Sequence, residues 1–158
     1  MTGKVRAVFD CNVFLQALIS PGGPAGSCVA LSFQGEVALF CTTHIIEELR
    51  RTTSDPRIRA KFTRITDAAV AAIIQNIERV AHFLPRVPAT FTYERDPDDA
   101  HYVNVALAAK AKYVVSRDKD LLDLMDRSRP EAREFRRRFP TLEIIEPQQL
   151  LREFTPKP

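Results

Sequence analysis

Between Arg95 and Asp120 the chain reads RDPDDAHYVNVALAAKAKYVVSRDKD, with aspartates at Asp96, Asp98, Asp99, Asp118 and Asp120. Carboxylates are hard oxygen donors, and several at one place suit Mg²⁺ or Mn²⁺. Between the two acid groups, Tyr102, Val103, Ala106, Leu107 and Ala109 recur at helical spacing, which predicts a helix with one buried face. Tyr113–Val115 is aromatic and β-branched and too short for a helix, so it reads as a buried strand. One acid group therefore opens a helix, and the other closes the strand that follows it. In an open α/β sheet the loops at the carboxyl ends of the strands form the ligand crevice.

A structural explanation competes for some of these acids. Asp96-Pro97-Asp98-Asp99 is also a well-formed helix start: Asp96 as N-cap, Pro97 at the first helical position, carboxylates facing the dipole. That accounts for Asp96 and Asp98, accounts less well for Asp99, and says nothing about Asp118.

The elements that must position these acids follow from the rest of the chain. Val5 to Phe9 (VRAVF) has the pattern of a central parallel strand that ends at Asp10. Asn12 then suits an N-cap for a helix through Leu18-Ile19, and Ser20-Pro21-Gly22-Gly23-Pro24 breaks it as a mobile surface loop. A helix near Ala25 to Gln34 ends at Gly35, and Val37 to Cys41 is a second strand. Thr43 caps a helix carrying the adjacent pair Glu47 and Glu48, and Ala68 to Val80 is the most strongly amphipathic segment. Phe83-Leu84 reads as a short strand and Glu131 to Phe139 as a basic helix. Leu142 to Ile145 is the last strand, and Gln148 to Phe154 the last helix. Strands alternate with helices throughout, so the expected fold is a three-layer α/β/α sandwich with a mainly parallel sheet, one domain over residues 1–158.

Composition narrows the class. Hydrophobic residues at 45% and charged residues at 27% of 158 are globular values. No apolar run approaches the ~20 residues that span a bilayer. The opening MTGKVRAVFD lacks the pattern of a signal peptide, and Cys11, Cys28 and Cys41 lack any paired spacing. These readings predict reduced thiols in a cytoplasmic protein with no membrane partner. The net charge is only +3. It includes two basic stretches, Arg50 to Arg64 and Arg127 to Arg138. Such runs are solvated helix faces, or arms that hold a phosphate backbone. In the second stretch Arg133, Arg136 and Arg137 fall at i, i+3 and i+4 and are expected to share one helix face for nucleic acid. Phe135 and Phe139 are expected to form the buried face opposite.

Asp10 at the end of strand one, Asp118 past the Val114-Val115 strand, and Asp99 ahead of the intervening helix share one sheet edge. Glu47 or Glu48 lies close to it. Buried carboxylates repel one another unless a metal or shared protons occupy the centre.

The arrangement resembles the PIN domain (PilT N-terminal) family of metal-dependent ribonucleases, over about Val5 to Ile145. Four blocks carry the resemblance: VFDCNVFLQAL, HIIEELRR, DDAHYVNVALAAKAKYVVSRD and VVSRDKDLL. The resemblance implies that Asp10, Glu48, Asp99 and Asp118 are the catalytic, metal-holding acids, with Asp120 an accessory ligand and Asn12, Ser116 and Asp96 in support. It also implies Mg²⁺ or Mn²⁺ as cofactor, single-stranded RNA as substrate and a homodimer. Two such ions ~4 Å apart can bind both the attacking and the leaving oxygen of a phosphodiester. No histidine base is needed, so His44, His82 and His101 are expected to be incidental. The stretches Thr52 to Arg64 and Pro130 to Phe139 look like additions to the smallest members. They resemble the toxin-component branch, which implies a cognate antitoxin protein.

Rival readings fare less well. A receiver domain needs an acid ending its third strand, where Phe83-Leu84 runs into Pro85. A haloacid-dehalogenase-type phosphatase needs two aspartates two apart after strand one, and Asp10-Cys11-Asn12 lacks the second. A non-catalytic RNA-binding or protein-interaction module, with the acids as helix caps, is the remaining alternative.

Overall fold

A computed structural model describes residues 4–155. Five strands form one all-parallel sheet in the order β3-β2-β1-β4-β5. The strands are β1 (Val5–Phe9), β2 (Val37–Cys41), β3 (His82–Phe83), β4 (Tyr113–Val115) and β5 (Glu143–Ile145). Helices α1 (Cys11–Ile19) and α2 (Pro24–Phe33) link β1 to β2, and α3 (Thr43–Thr53), α4 (Pro56–Lys61) and α5 (Asp67–Val80) link β2 to β3. Helix α6 (Ala100–Ala109) precedes β4. Then come α7 (Lys119–Leu122), a 3-10 turn (Asp123–Met125), α8 (Pro130–Arg138) and, after β5, α9 (Pro147–Arg152). The three-layer α/β/α sandwich expected from the sequence is present.

The chain moves outward from β1 through β2 to β3, then crosses back to place β4 on the other side of β1. The direction of winding therefore reverses between β1 and β4, and a crevice opens at their carboxyl ends. Register aligns Phe9 with Val115, so Asp10 and Ser116 leave the sheet side by side. The Asp10 amide donates to the Val115 carbonyl at 2.9 Å, and the Ser116 amide to the Ile145 carbonyl at 2.9 Å.

The frame around the crevice is densely packed. Phe9, Phe14, Leu39, Ile45, Leu49, Ile74, Ile77 and Tyr102 are fully buried. Helix α6 packs across β1, β2 and β4, while α1, α2, α3 and α5 pack on one another. Arg6, the odd charge in β1, donates from Nε (3.0 Å) and Nη2 (2.7 Å) to the Ala109 carbonyl, and so caps the negative end of α6. Ser20 to Pro24 is a tight turn. The Pro21 carbonyl comes so close to Gly26 that an added Cβ would lie 2.1 Å from it, so only glycine fits there.

Several element boundaries differ from the sequence reading. The N-cap of α1 is Asp10 and not Asn12, and that of α3 is Thr42 and not Thr43. Strand β3 lies one residue earlier than Phe83-Leu84. The stretch Thr52 to Arg64 contains a helix of its own, α4, capped by Asp55. The helix expected from Asp96 onward starts only at Ala100.

Candidate metal centre

Asp10 occupies the step from β1 into α1. Its Oδ1 accepts the Asn12 amide at 3.3 Å, and its Oδ2 accepts the Ser116 hydroxyl at 2.7 Å. Ser116 Oγ in turn accepts the Asp118 amide at 2.9 Å. Asp118 caps the short α7 through Oδ1 and the Asp120 amide, at 2.8 Å. One serine hydroxyl thus ties two carboxylate-bearing loops together at the ends of neighbouring strands.

Asp99 arrives from a different direction. It stands at the N-terminus of α6 without making a side-chain cap bond. It is 6% exposed, and its Oδ2 is buried with no hydrogen-bond partner. A buried polar atom left unpaired costs ~1–3 kcal/mol, more when charged. Asp96 is the residue that closes the turn, accepting the Asp99 amide at 3.4 Å. The helix-start explanation therefore fits Asp96 as a turn residue and leaves Asp99 structurally unaccounted for.

Asp10, Asp99 and Asp118 each offer a ligand atom, and these atoms lie within 4.8 Å of one another; Asp96, Asp99 and Asp120 form a second such group. Burial pushes the Asp10 carboxyl up to about 6, with Glu48 and Asp118 adding to the shift against the Ser116 and Asn12 hydrogen bonds. Burial raises Asp99 too, and the neighbouring charges of Asp118, Asp96 and Asp10 raise it further. Among the described residues no lysine, arginine or histidine pairs with Asp10, Asp99 or Asp118. Three converging carboxylates, one with an orphaned oxygen and none with a counter-ion, fit a hard divalent cation.

The other sequence-predicted residues separate by role. Glu48 is in neither group: its Oε2 accepts the Tyr102 hydroxyl at 2.7 Å. That hydroxyl also accepts the Cys11 amide at 3.2 Å, and Tyr102 is 1% exposed. Glu48 is still near enough for its charge to raise Asp10. Glu47 is exposed and lines a separate hollow with Arg50, Glu78 and Phe83. Asn12 uses its side-chain oxygen on the Arg117 amide, at 3.4 Å. Asp120 pairs with Arg95 Nε at 2.7 Å.

In α8 the arginines are not equivalent. Arg137 is bound at 2.7 Å by Glu134 of its own helix, and Arg133 donates to the Arg127 carbonyl at 2.9 Å. Arg136 is half-buried against Met125. Phe135 is buried opposite, with Phe139 edge-on to it. Of the histidines, His101 meets Thr42 Oγ1 at 2.8 Å, with the His44 ring 4.4 Å away.

Three residues escaped the sequence reading. Tyr102 reads as core because its ring is core; only its hydroxyl reaches the site. Arg95 reads as the flank of an acid run. Arg117 is exposed between Ser116 and Asp118 and lines a cavity of about 250 Å³ with Pro24 and Glu146. Its place inside the strand-end motif was the available signal.

An all-parallel sheet with carboxylates converging at its switch point defines an α/β protein with an acidic crevice whose donor set fits a cation. Residues 6–120 match the PIN domain family, and the chain belongs to it. PIN domains are generally nucleases, which places this chain in a nuclease class. A relative in Methanocaldococcus jannaschii, the "Uncharacterized protein MJ1680", is 29% identical over 126 residues, covering 80% of this chain and 79% of its own.

Proposed function

We propose that the chain is a Mg²⁺- or Mn²⁺-dependent endoribonuclease that hydrolyses phosphodiester bonds in single-stranded RNA. The observation that carries this reading is the orphaned, buried Asp99 Oδ2 inside the Asp10–Asp99–Asp118 triad. Family membership supports hydrolytic chemistry, and the acidic donor set supports the choice of a hard ion.

Asp10, Asp99 and Asp118 would hold the ion. Bound there, a divalent ion supplies Lewis-acid charge and lowers the pKa of water. The chain's own residues supply preorganisation. Ser116 locks Asp10 and the Asp118 loop in one geometry. Tyr102 fixes Glu48 beside Asp10 while leaving the second Glu48 oxygen free of that bond. Arg117, exposed next to Asp118, offers a cation to a phosphate approaching the crevice.

The toxin role, with a cognate antitoxin protein as partner, a homodimeric state and a cytoplasmic location, belongs to the same proposal. It rests on the resemblance to the toxin branch. Among the described residues no single helix is long and apolar enough to cross a membrane.

The test is cleavage of labelled single-stranded RNA by the purified chain with Mn²⁺, with Mg²⁺ and with EDTA. Metal-dependent cutting is expected. A chain that retains RNA in EDTA and cuts nothing under any condition is a binding module instead.

A further inference from the structure

Asp99 belongs to two acid groups, and they differ in how their charge is met. The Asp10–Asp99–Asp118 group is held only by a hydroxyl and by backbone amides. In the Asp96–Asp99–Asp120 group, the Arg95 guanidinium reaches Asp120 Oδ1 with Nε at 2.7 Å and Asp123 Oδ2 with Nη2 at 2.7 Å. Its side chain is 32% exposed, so it is clamped rather than waving in solvent. Tyr93, two residues earlier, donates its hydroxyl to the Asp120 carbonyl at 2.8 Å and fastens the segment bearing Arg95 to the loop bearing Asp120. Lys119 and Arg129 also reach Asp123, at 3.1 and 3.3 Å, so Asp123 is a crowded anchor for cations.

We propose that Arg95 is the resident cation of the second acid group, and that it confines the centre to one divalent ion, held by Asp10, Asp99 and Asp118. This rests on the metal-dependent reading above. A guanidinium stays charged at every working pH and cannot step aside by losing a proton. A dication entering between Asp96, Asp99 and Asp120 would have to share Asp120 with that fixed charge. In the first group no carboxylate is paired with a basic side chain among the described residues. Both sites need Asp99, so an ion in the first also draws charge away from the second.

Counting Mn²⁺ bound per chain, by electron paramagnetic resonance of the free ion during titration, tests this on the whole 158-residue chain. Wild type is expected to bind one ion. Arg95→Gln removes the charge and is expected to bind two. Arg95→Lys keeps a cation and is expected to stay at one. Arg95→Gln combined with Asp120→Asn is expected to return to one, which assigns the added ion to the second group. Circular-dichroism melting checks that each variant folds, and Arg95→Lys keeps the comparison intact if Arg95→Gln does not. Two ions in wild type, two in Arg95→Lys, or one in a folded Arg95→Gln would overturn the proposal. No ion in any form would overturn the nuclease reading along with it.

Discussion

The carboxyl edge of the sheet and helix α8 each gather like charges and treat them in opposite ways. In α8 the charges are neighbours in sequence and find local partners: Arg137 takes Glu134, while Arg138 lies over the Phe139 ring and reaches the Thr90 carbonyl. Water covers most of the rest. At the sheet edge, Asp10, Asp99 and Asp118 come from three distant parts of the chain and turn inward, with no basic partner among the described residues. A run of charge along a helix is solved by solvent and by the next turn. A cluster built by tertiary convergence has neither solution, and its carboxylates are relieved by taking up protons or a cation.

Neutralising an edge acid is the strongest way to break this contrast. Asp10→Asn is expected to reduce RNA cleavage on the order of 10³-fold, as loss of a preorganised charge-stabilising element does. It is also expected to raise the melting temperature of the metal-free protein, because it removes one buried, crowded charge. Full activity in the variant would put Asp10 outside the site.

Next in size is the pH dependence. Asp10 is raised from 3.8 to about 6 in the folded chain, and Asp99 is raised as well. The folded state then binds more protons than the unfolded one above pH 4. The associated stability is full below about pH 4 and lost as pH rises through about 6, ~3 kcal/mol for a shift of this size at Asp10. The metal-free melting temperature should therefore fall between about pH 4 and 8, the upper part of that range set by Asp99, which is raised to about 8. Saturating Mn²⁺ should cancel the fall, since an ion at 100 times its dissociation constant adds ~2.7 kcal/mol. A flat profile without metal, or melting that Mn²⁺ leaves unmoved, would argue against a charged centre.

Tyr102→Phe probes the same edge more gently. It leaves the Cys11 amide and Glu48 Oε2 without their shared hydroxyl, a cost of ~1–3 kcal/mol. The expected outcome is a roughly tenfold lower kcat with Mn²⁺ affinity little changed, because Glu48 stands outside the triad. A large loss of Mn²⁺ affinity would instead make Glu48 a direct ligand.

The smallest effect belongs to α8. Each phosphate that a side chain no longer neutralises flattens the salt dependence of single-strand binding by ~0.7 in log–log slope. Arg137 is already paired with Glu134, so changing Arg133, Arg136 and Arg137 together to Gln should flatten the slope by ~1.4, equivalent to two phosphates. A slope identical to wild type would leave these arginines as a solvated helix face.

The alternation of strands and helices, and the placing of Asp10, Asp99 and Asp118 at one sheet edge, can be read from the chain alone. Both are written in local periodicity: VRAVF before Asp10, YVV before Ser116, an apolar helical repeat after Asp99. The stretch Asp96-Pro97-Asp98-Asp99 also reads as a helix start with Asp96 as its N-cap, whereas the helix begins only at Ala100, with Asp99 at the cap position and no side-chain cap bond. Asp96 closes the turn locally, but it takes packing from distant parts of the chain to leave Asp99 buried and unpaired. The same holds for Glu48 meeting Tyr102, Asp120 meeting Arg95 and Ser116 bridging Asp10 to the Asp118 loop. The physical reason is range. Hydrophobic periodicity is a property of a few consecutive residues, whereas a hydrogen bond or ion pair joins whichever atoms the folded sheet brings within about 3 Å.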